Sequence, residues 1–499
     1  FAVPRLPLPP TGPVPPGVPL PTVPSTLADG RSFLVGFVVN FAKLPDKPMA
    51  ARKADGRIGH FYDSVTDYGN DKSLRQRVNL INRWRLEKKD PTAALSEPVK
   101  PITFWLDKNI PPEYRATVAA GVLEWNKAFE KIGFKNAIVT QQQPDDADWD
   151  TLDATHASLR WYFSADPGAS ATGPSQSDSR SGEILDADIK IGDGWTRVVR
   201  REAVEEVISL EAHEHLSALG GSWPGRGASH RMAVCNISQA AAAEMQFSLE
   251  TLIAQGVITP GSPEAEAYVQ DYLKWVVMHE VGHTLGLKHN FKASTVVTEA
   301  QLRDAAFTEA NGTANSVMDY TATNLPLPGE RRAGLLMKTL GAYDYWAIEY
   351  AYRPLDAATE AEELERIAAR STEPLLAFAD DADADGFGAA AVDPLASRFD
   401  LGADPLAYFQ RRLTLTQDLW RRAATWKPLA GEDALRQRGM LGAGFGLLRI
   451  SAAGAAKLVG GMHTTREVPG TPGAMGRAAT FVPVEAARQR QALSGLSRG

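Results

Sequence analysis

Cysteine is nearly absent from this chain: Cys235 is the only one among 499 residues. An intrachain disulfide is therefore excluded. The redox compartment stays open, because exported bacterial enzymes without disulfides and cytosolic enzymes both fit. Positive charge is not in excess either. Lys and Arg number 53 against 60 Asp and Glu, the net charge is −7, and no basic stripe is interleaved with aromatics. With a pI near 5.8, this argues against a polyanion-binding surface and against nucleic acid as a partner. No uninterrupted apolar run approaches the roughly 18 residues of a membrane-spanning helix. No internal repeat of fixed period is present. The chain begins at Phe1 rather than Met, which reads as a trimmed start with any secretion signal outside the given residues.

What is present is the composition of a globular protein, 44% apolar and 23% charged. The length exceeds what one ordinary core organises, so two or three packed units are expected. Residues 1–30 hold ten of the 33 prolines and read as an extended, polyproline-like leader. Residues 31–98 alternate short apolar strands with charged stretches. They suggest a small β-rich N-terminal unit that packs on the rest or masks a cleft. From 99 to 350 the pattern is that of a mixed α/β domain. ITFWLD (102–107), AIVTQQ (137–142) and LRWYFS (159–164) read as strands. PPEYRATVAAGVLEWNKAFEKIGF has helical spacing, with Val118, Val122, Trp125, Phe129 and Ile132 on one side. In ILDADIKI (184–191), Leu185, Ala187, Ile189 and Ile191 share one face, as in an edge or near-edge strand. A helix-rich insertion spans 193–266. Residues 351–499 are mostly helical.

The chemistry is concentrated in His279-Glu280-Val281-Gly282-His283-Thr284-Leu285-Gly286-Leu287-Lys288-His289. Histidines four apart on a helix lie one turn above the other on the same face, so both imidazoles can reach one metal ion. Glu280 leans to the side of that metal, where it can take a proton from a metal-bound water instead of serving as a ligand. Glycine at 286 allows the helix to end in a left-handed turn, which returns His289 as a third ligand. Three neutral nitrogens leave one tetrahedral position open, the catalytic and not the structural arrangement for zinc. Fixing five positions in eleven makes this a specific signal. An amphipathic helix with ordinary histidines would bury four polar groups at a cost of several kcal/mol. Downstream, Ser316-Val317-Met318-Asp319-Tyr320 stands where extended-motif zinc proteases place a methionine-containing tight turn, with Met318 as an apolar floor beneath the imidazoles.

On these residues the chain resembles the metzincin clan of zinc peptidases. WLDKNIPPEYRATVAAGVLEWNKAFEKIGF, SGEILDADIKI and GAYDYWAIEY are further similar to a group of bacterial exported zinc-dependent metalloproteases, over roughly residues 55–490. The resemblance implies an α/β (α+β) fold: a twisted, mostly parallel mixed sheet over the active-site helix, with the small N-terminal unit and a helical C-terminal region. It implies zinc, a protein or peptide substrate lying along the strand at 184–191, and an extracellular or periplasmic location. Tyr320, two residues after Met318, stands where a tyrosine of some clan members reaches the metal or the oxyanion. Residues 321–330 would wall the pocket for the residue after the scissile bond. The function so implied is that of a zinc endopeptidase. The alternatives are a catalytically silent zinc-binding module, a zinc hydrolase of non-peptide amides or esters, and a zymogen masked by residues 1–98.

Two weaker signals remain. Asp381-Ala-Asp383-Ala-Asp385-Gly386 copies the first half of a calcium loop, but Val392 stands where the bidentate glutamate belongs. It reads as an exposed acidic loop, with Ca2+ binding as the alternative. His213 and His215, two apart, point to different helix faces and read as surface residues. Cys235 reads as a small buried hydrophobe.

Overall fold

The computed structural model describes residues 38–69, 71–73, 76–163, 171–201, 237–385, 391–427, 435–468 and 481–497. The proline-rich leader, His213, His215, His230, Cys235 and the middle of the 193–266 insertion lie outside them.

An antiparallel ribbon of β1 (Tyr62–Thr66) and β2 (Arg77–Ile81) precedes the main sheet. That sheet comprises β3 (Ile102–Leu106), β4 (Ile138–Gln142), β5 (Ser158–Tyr162), β6 (Ala171–Thr172), β7 (Ser175–Asp178) and β8 (Glu183–Gly192). Its order is β4-β3-β5-β8, all parallel, with β6 and β7 both antiparallel to the outer side of β8. Alternation in β3 turns Ile102, Phe104 and Leu106 inward. A parallel β3–β4 pair needs a helical crossover, and the segment after Pro111 supplies it. The helical spacing over 112–134 resolves into two helices, Pro112–Leu123 and Asn126–Lys131. The break comes at Trp125, fully buried, whose indole donates to Met278 O at 2.9 Å, while the Asn126 amide bonds both main-chain groups of Ile138. Side-chain bonds to backbone of this kind compete with helix continuation.

The long helix Pro263–Thr284 runs beneath the sheet. Ser262 caps it, Pro263 opens it, and Glu264 and Glu266 complement the dipole of its first turn. Nearly every residue from Tyr268 onward is buried, as suits a helix enclosed by its neighbours. It ends where Gly286 takes φ +95°, with Leu287 N–H donating back to Gly282 O at 3.0 Å.

Residues ahead of the sheet are woven into this turn. Phe61 N–H donates to Gly286 O at 2.7 Å, Lys288 N–H donates to Gly59 O at 2.9 Å, and Ile58 and Ile81 share one hydrophobic core with the sheet and the long helix. Beyond the long helix lie the helices Ala342–Tyr352, Pro405–Thr425 and Leu435–Ala456. The last two pack on one another and on the insertion helix Ile237–Ala254. The span Arg436–Ala456 is long and apolar enough, by length and composition, to cross a membrane. Here it turns Met440, Ala443 and Leu447 inward and leaves Arg438 and Arg449 exposed.

ILDADIKI forms β8, and among the described residues it takes the near-edge position, one strand in. The outermost strands described are β6 and β7, broken between them at Gly173 and Pro174. A Cβ at Gly173 would stand 2.5 Å from Glu280 O and 3.1 Å from Glu280 Oε2, so this edge runs against the glutamate.

Candidate metal centre

The long helix sets His279 and His283 one turn apart on its buried side, and the Gly286 turn brings His289 back to them. All three are buried, His279 with no exposed surface, and one ligand nitrogen from each lies within 4.8 Å of the others. Each ring is fixed from behind. His279 Nδ1 is 2.8 Å from Val317 O, His283 Nδ1 is 2.9 Å from Leu287 O, and His289 Nδ1 is 2.8 and 3.0 Å from the two oxygens of Asp381. Facing acceptors, every Nδ1 carries its proton, and every Nε2 presents a lone pair inward. Burial, followed by the neighbouring His289, pushes His283 down to about 3, and burial holds His279 well below the usual imidazole range. Both are neutral near pH 7.

The arrangement fits a metal ion. His283 Nε2 and His289 Nε2 stand 3.1 Å apart, where two lone pairs repel unless they share a cation. Tetrahedral zinc with nitrogens at 2.0–2.1 Å separates its ligands by about 3.3 Å. An all-imidazole set suits zinc among the common divalent ions and does not suit calcium.

Glu280 follows the first histidine on the same helix and is fully buried. Met318 packs under the helix: a Cβ on Gly282 would fall 2.2 Å from its sulfur, with Trp125 closing the other side. The turn that carries Met318 is anchored by Asp344. This carboxylate accepts Ser316 O–H at 2.6 Å, Val317 N–H at 2.9 Å and Gly341 N–H at 2.8 Å. Burial pushes its carboxyl up to about 7 against these donors, which favour the ionised form. The phenol of Tyr320 lies 2.7 Å from His289 Nε2, on the side where the three nitrogens converge. The guanidinium of Arg398 lies over the rings of Tyr320 and Phe291, at 5.3 and 5.1 Å.

One expectation is corrected. The acidic run at 381–386 is neither an exposed loop nor a calcium loop in its described part. It forms the short helix Asp381–Asp385, where Asp381 pairs with His289 and Arg398 and Asp383 pairs with Arg466. Hydrogen-bond donors from the protein already occupy the oxygens a calcium ion would need. Burial raises the Asp381 carboxyl, but His289 and Arg398 outweigh burial and hold it well below the usual range. The segment after Tyr320 is tied down on the side of the insertion helix. Thr321–Leu325 are buried, and Thr323 N–H donates to Glu244 Oε1 of the insertion helix at 2.9 Å. Sequence reasoning missed Asp344 and Asp381 as neighbours of the site. Asp344 sits in a stretch already matched to the family. Asp381 lies 92 positions from His289, and the acidic run that marks it in the sequence points to calcium and not to this site.

Three buried histidines on a helix and its reversal, a glutamate beside the first and a methionine turn below define the zinc metalloprotease fold of the metzincin class. Residues 261–499, which carry all of these, match a family model described as Met-zincin, and this part of the chain is a Met-zincin domain. Residues 22–89 match a second model, described as a domain of unknown function. No curated protein and no solved structure matches the chain.

Proposed function

We propose that the protein is a zinc-dependent endopeptidase. The observation that carries this reading is the convergence of three buried, back-bonded imidazoles beside Glu280, with the sheet edge at Gly173 running past that carboxylate. His279, His283 and His289 would hold the ion. Zinc bound there supplies Lewis acidity, polarising a carbonyl and acidifying water. Glu280 takes the proton of the attacking water and passes it to the leaving amine as the carbon–nitrogen bond breaks. The Tyr320 hydroxyl, beside His289 Nε2, is in reach to donate to the oxyanion. An extended peptide adds to the outer side of β6 and β7 through main-chain hydrogen bonds, which favours peptide over small amides. Export of the protein belongs to the same proposal.

The test is cleavage of a quenched-fluorescence peptide library by the zinc-loaded protein beside Glu280→Ala. Turnover should fall by at least about 10²–10⁴-fold in the variant, with zinc content unchanged. Equal turnover by both proteins would remove Glu280 from the chemistry. Zinc binding without cleavage by either would favour a binding module.

A further inference from the structure

Resting on that zinc reading, we infer that Asp381 is a positioning residue of the metal centre. It orients His289 through Nδ1 and strengthens Nε2 as a ligand, so that residues beyond 351 complete a site whose ligands all lie between 279 and 289. The three histidines are not backed alike. His279 and His283 face neutral main-chain carbonyls supplied by the methionine turn and by the helix end. Among the described residues, the Nδ1 of His289 is the one that faces a carboxylate, with both oxygens within 3.0 Å. A charged acceptor makes the stronger hydrogen bond and draws the N–H proton toward itself, which raises electron density at the opposite nitrogen.

The carboxylate is built into place. Phe291 N–H donates to Ala379 O at 2.8 Å, Asn290 Nδ2 donates to Ala377 O at 2.9 Å, and Asn290 Oδ1 accepts Ala379 N–H at 3.2 Å. The loop leaving His289 and the segment entering Asp381 are thereby zipped together. Arg398 then holds Asp381 Oδ1 at 3.0 Å while lying across Tyr320 and Phe291. One guanidinium thus ties the partner of the third histidine to the tyrosine beside it. Asp383, two positions along the same short helix, bonds Arg466 and is the natural comparator for a purely structural acid.

The experiment uses the full chain with Asp381→Ala, Asp381→Asn and Asp383→Asn. Zinc affinity is measured by competition with a chromophoric chelator, and the visible spectrum is recorded after cobalt substitution. Asp381→Ala should weaken zinc about 10–100-fold. Asp381→Asn should weaken it less, because its amide oxygen still accepts the Nδ1 proton. Both should shift the cobalt bands. Asp383→Asn should match the parent in both readouts. The asparagine variant keeps the side chain's shape, so the comparison survives if the alanine variant folds poorly. Parent-like affinity and spectrum in both Asp381 variants, or an equal loss in Asp383→Asn, would overturn the assignment. A parent protein that binds no zinc would overturn it together with the metal reading itself, and the two failures differ in whether the parent binds.

Discussion

Gly286 answers to two demands at once. Its φ of +95° lies in the left-handed region, and an added Cβ would fall 2.0 Å from Asn82 O. The first demand is visible in the motif, because a reversal before the third histidine needs that conformation. The second comes from a residue two hundred positions upstream and is visible only in the fold. His60 makes the same point for titration. Alone in the sequence it carries no signal. In the structure it is buried beside the third-histidine loop, with Nε2 donating to Ala347 O at 3.0 Å, and burial pulls it down to about 4. The unfolded chain takes up this proton near pH 6.5 and the native state does not until about pH 4. The contribution of His60 is therefore complete above pH 6.5 and is lost as pH falls through that window. A shift of this size corresponds to of order 3 kcal/mol. Denaturant titrations of the parent and of His60→Gln at pH 7.5 and pH 4.5 should show the stability gap narrowing at the lower pH. A gap independent of pH would mean that His60 is not buried neutral.

Among elements, the end of the long helix was the most legible, since its histidine spacing and its terminating glycine act within a few residues, whereas its start at Ser262 fell within what read as the insertion. β8 was legible as a strand but not in its position. The two short outer pieces, Ala-Thr and Ser-Gln-Ser-Asp, have too few residues for any alternation to show, so the sequence could place β8 only as an edge or near-edge strand. The insertion helix Ile237–Ala254 reads from sequence as a run of helix formers, yet its role in the fold is polar. Glu244, with no exposed surface, pairs with buried Arg412 and accepts Thr323 N–H, fastening the helix to the segment after the methionine turn. Removing one partner leaves a buried charge uncompensated. Glu244→Ala should cost about 3–5 kcal/mol, measured by chemical denaturation. Glu244→Ala combined with Arg412→Met should recover part of that loss, and failure to do so would mean that the pair is not energetically coupled.

At the scale of the whole molecule, the ligands come from one short stretch, but what steadies them is gathered from the full length of the chain. Residues 59–61 pair with the third-histidine loop, Asp344 holds the methionine turn, and Asp381 stands behind His289. Metal binding and global stability should therefore be linked. An ion present at a thousand times its Kd stabilises the state that binds it by about 4 kcal/mol. Chelation should accordingly lower the melting temperature by several degrees, and zinc should restore it. Equal melting with and without metal would separate the site from the cooperative fold.

The sequence by itself determined the part of this protein whose physics is local. Helical spacing carries His279 and His283 to one face, a glycine reverses the chain to His289, and alternation marks β3 and β8. Which strand forms the edge, which carboxylates stand behind the turn and the third ligand, and how the N-terminal ribbon closes on Gly286 were decided only by the tertiary structure. Those contacts join residues tens to hundreds of positions apart. Their partners are chosen by burial, hydrogen bonding and charge in three dimensions, which leave no period in the chain to read.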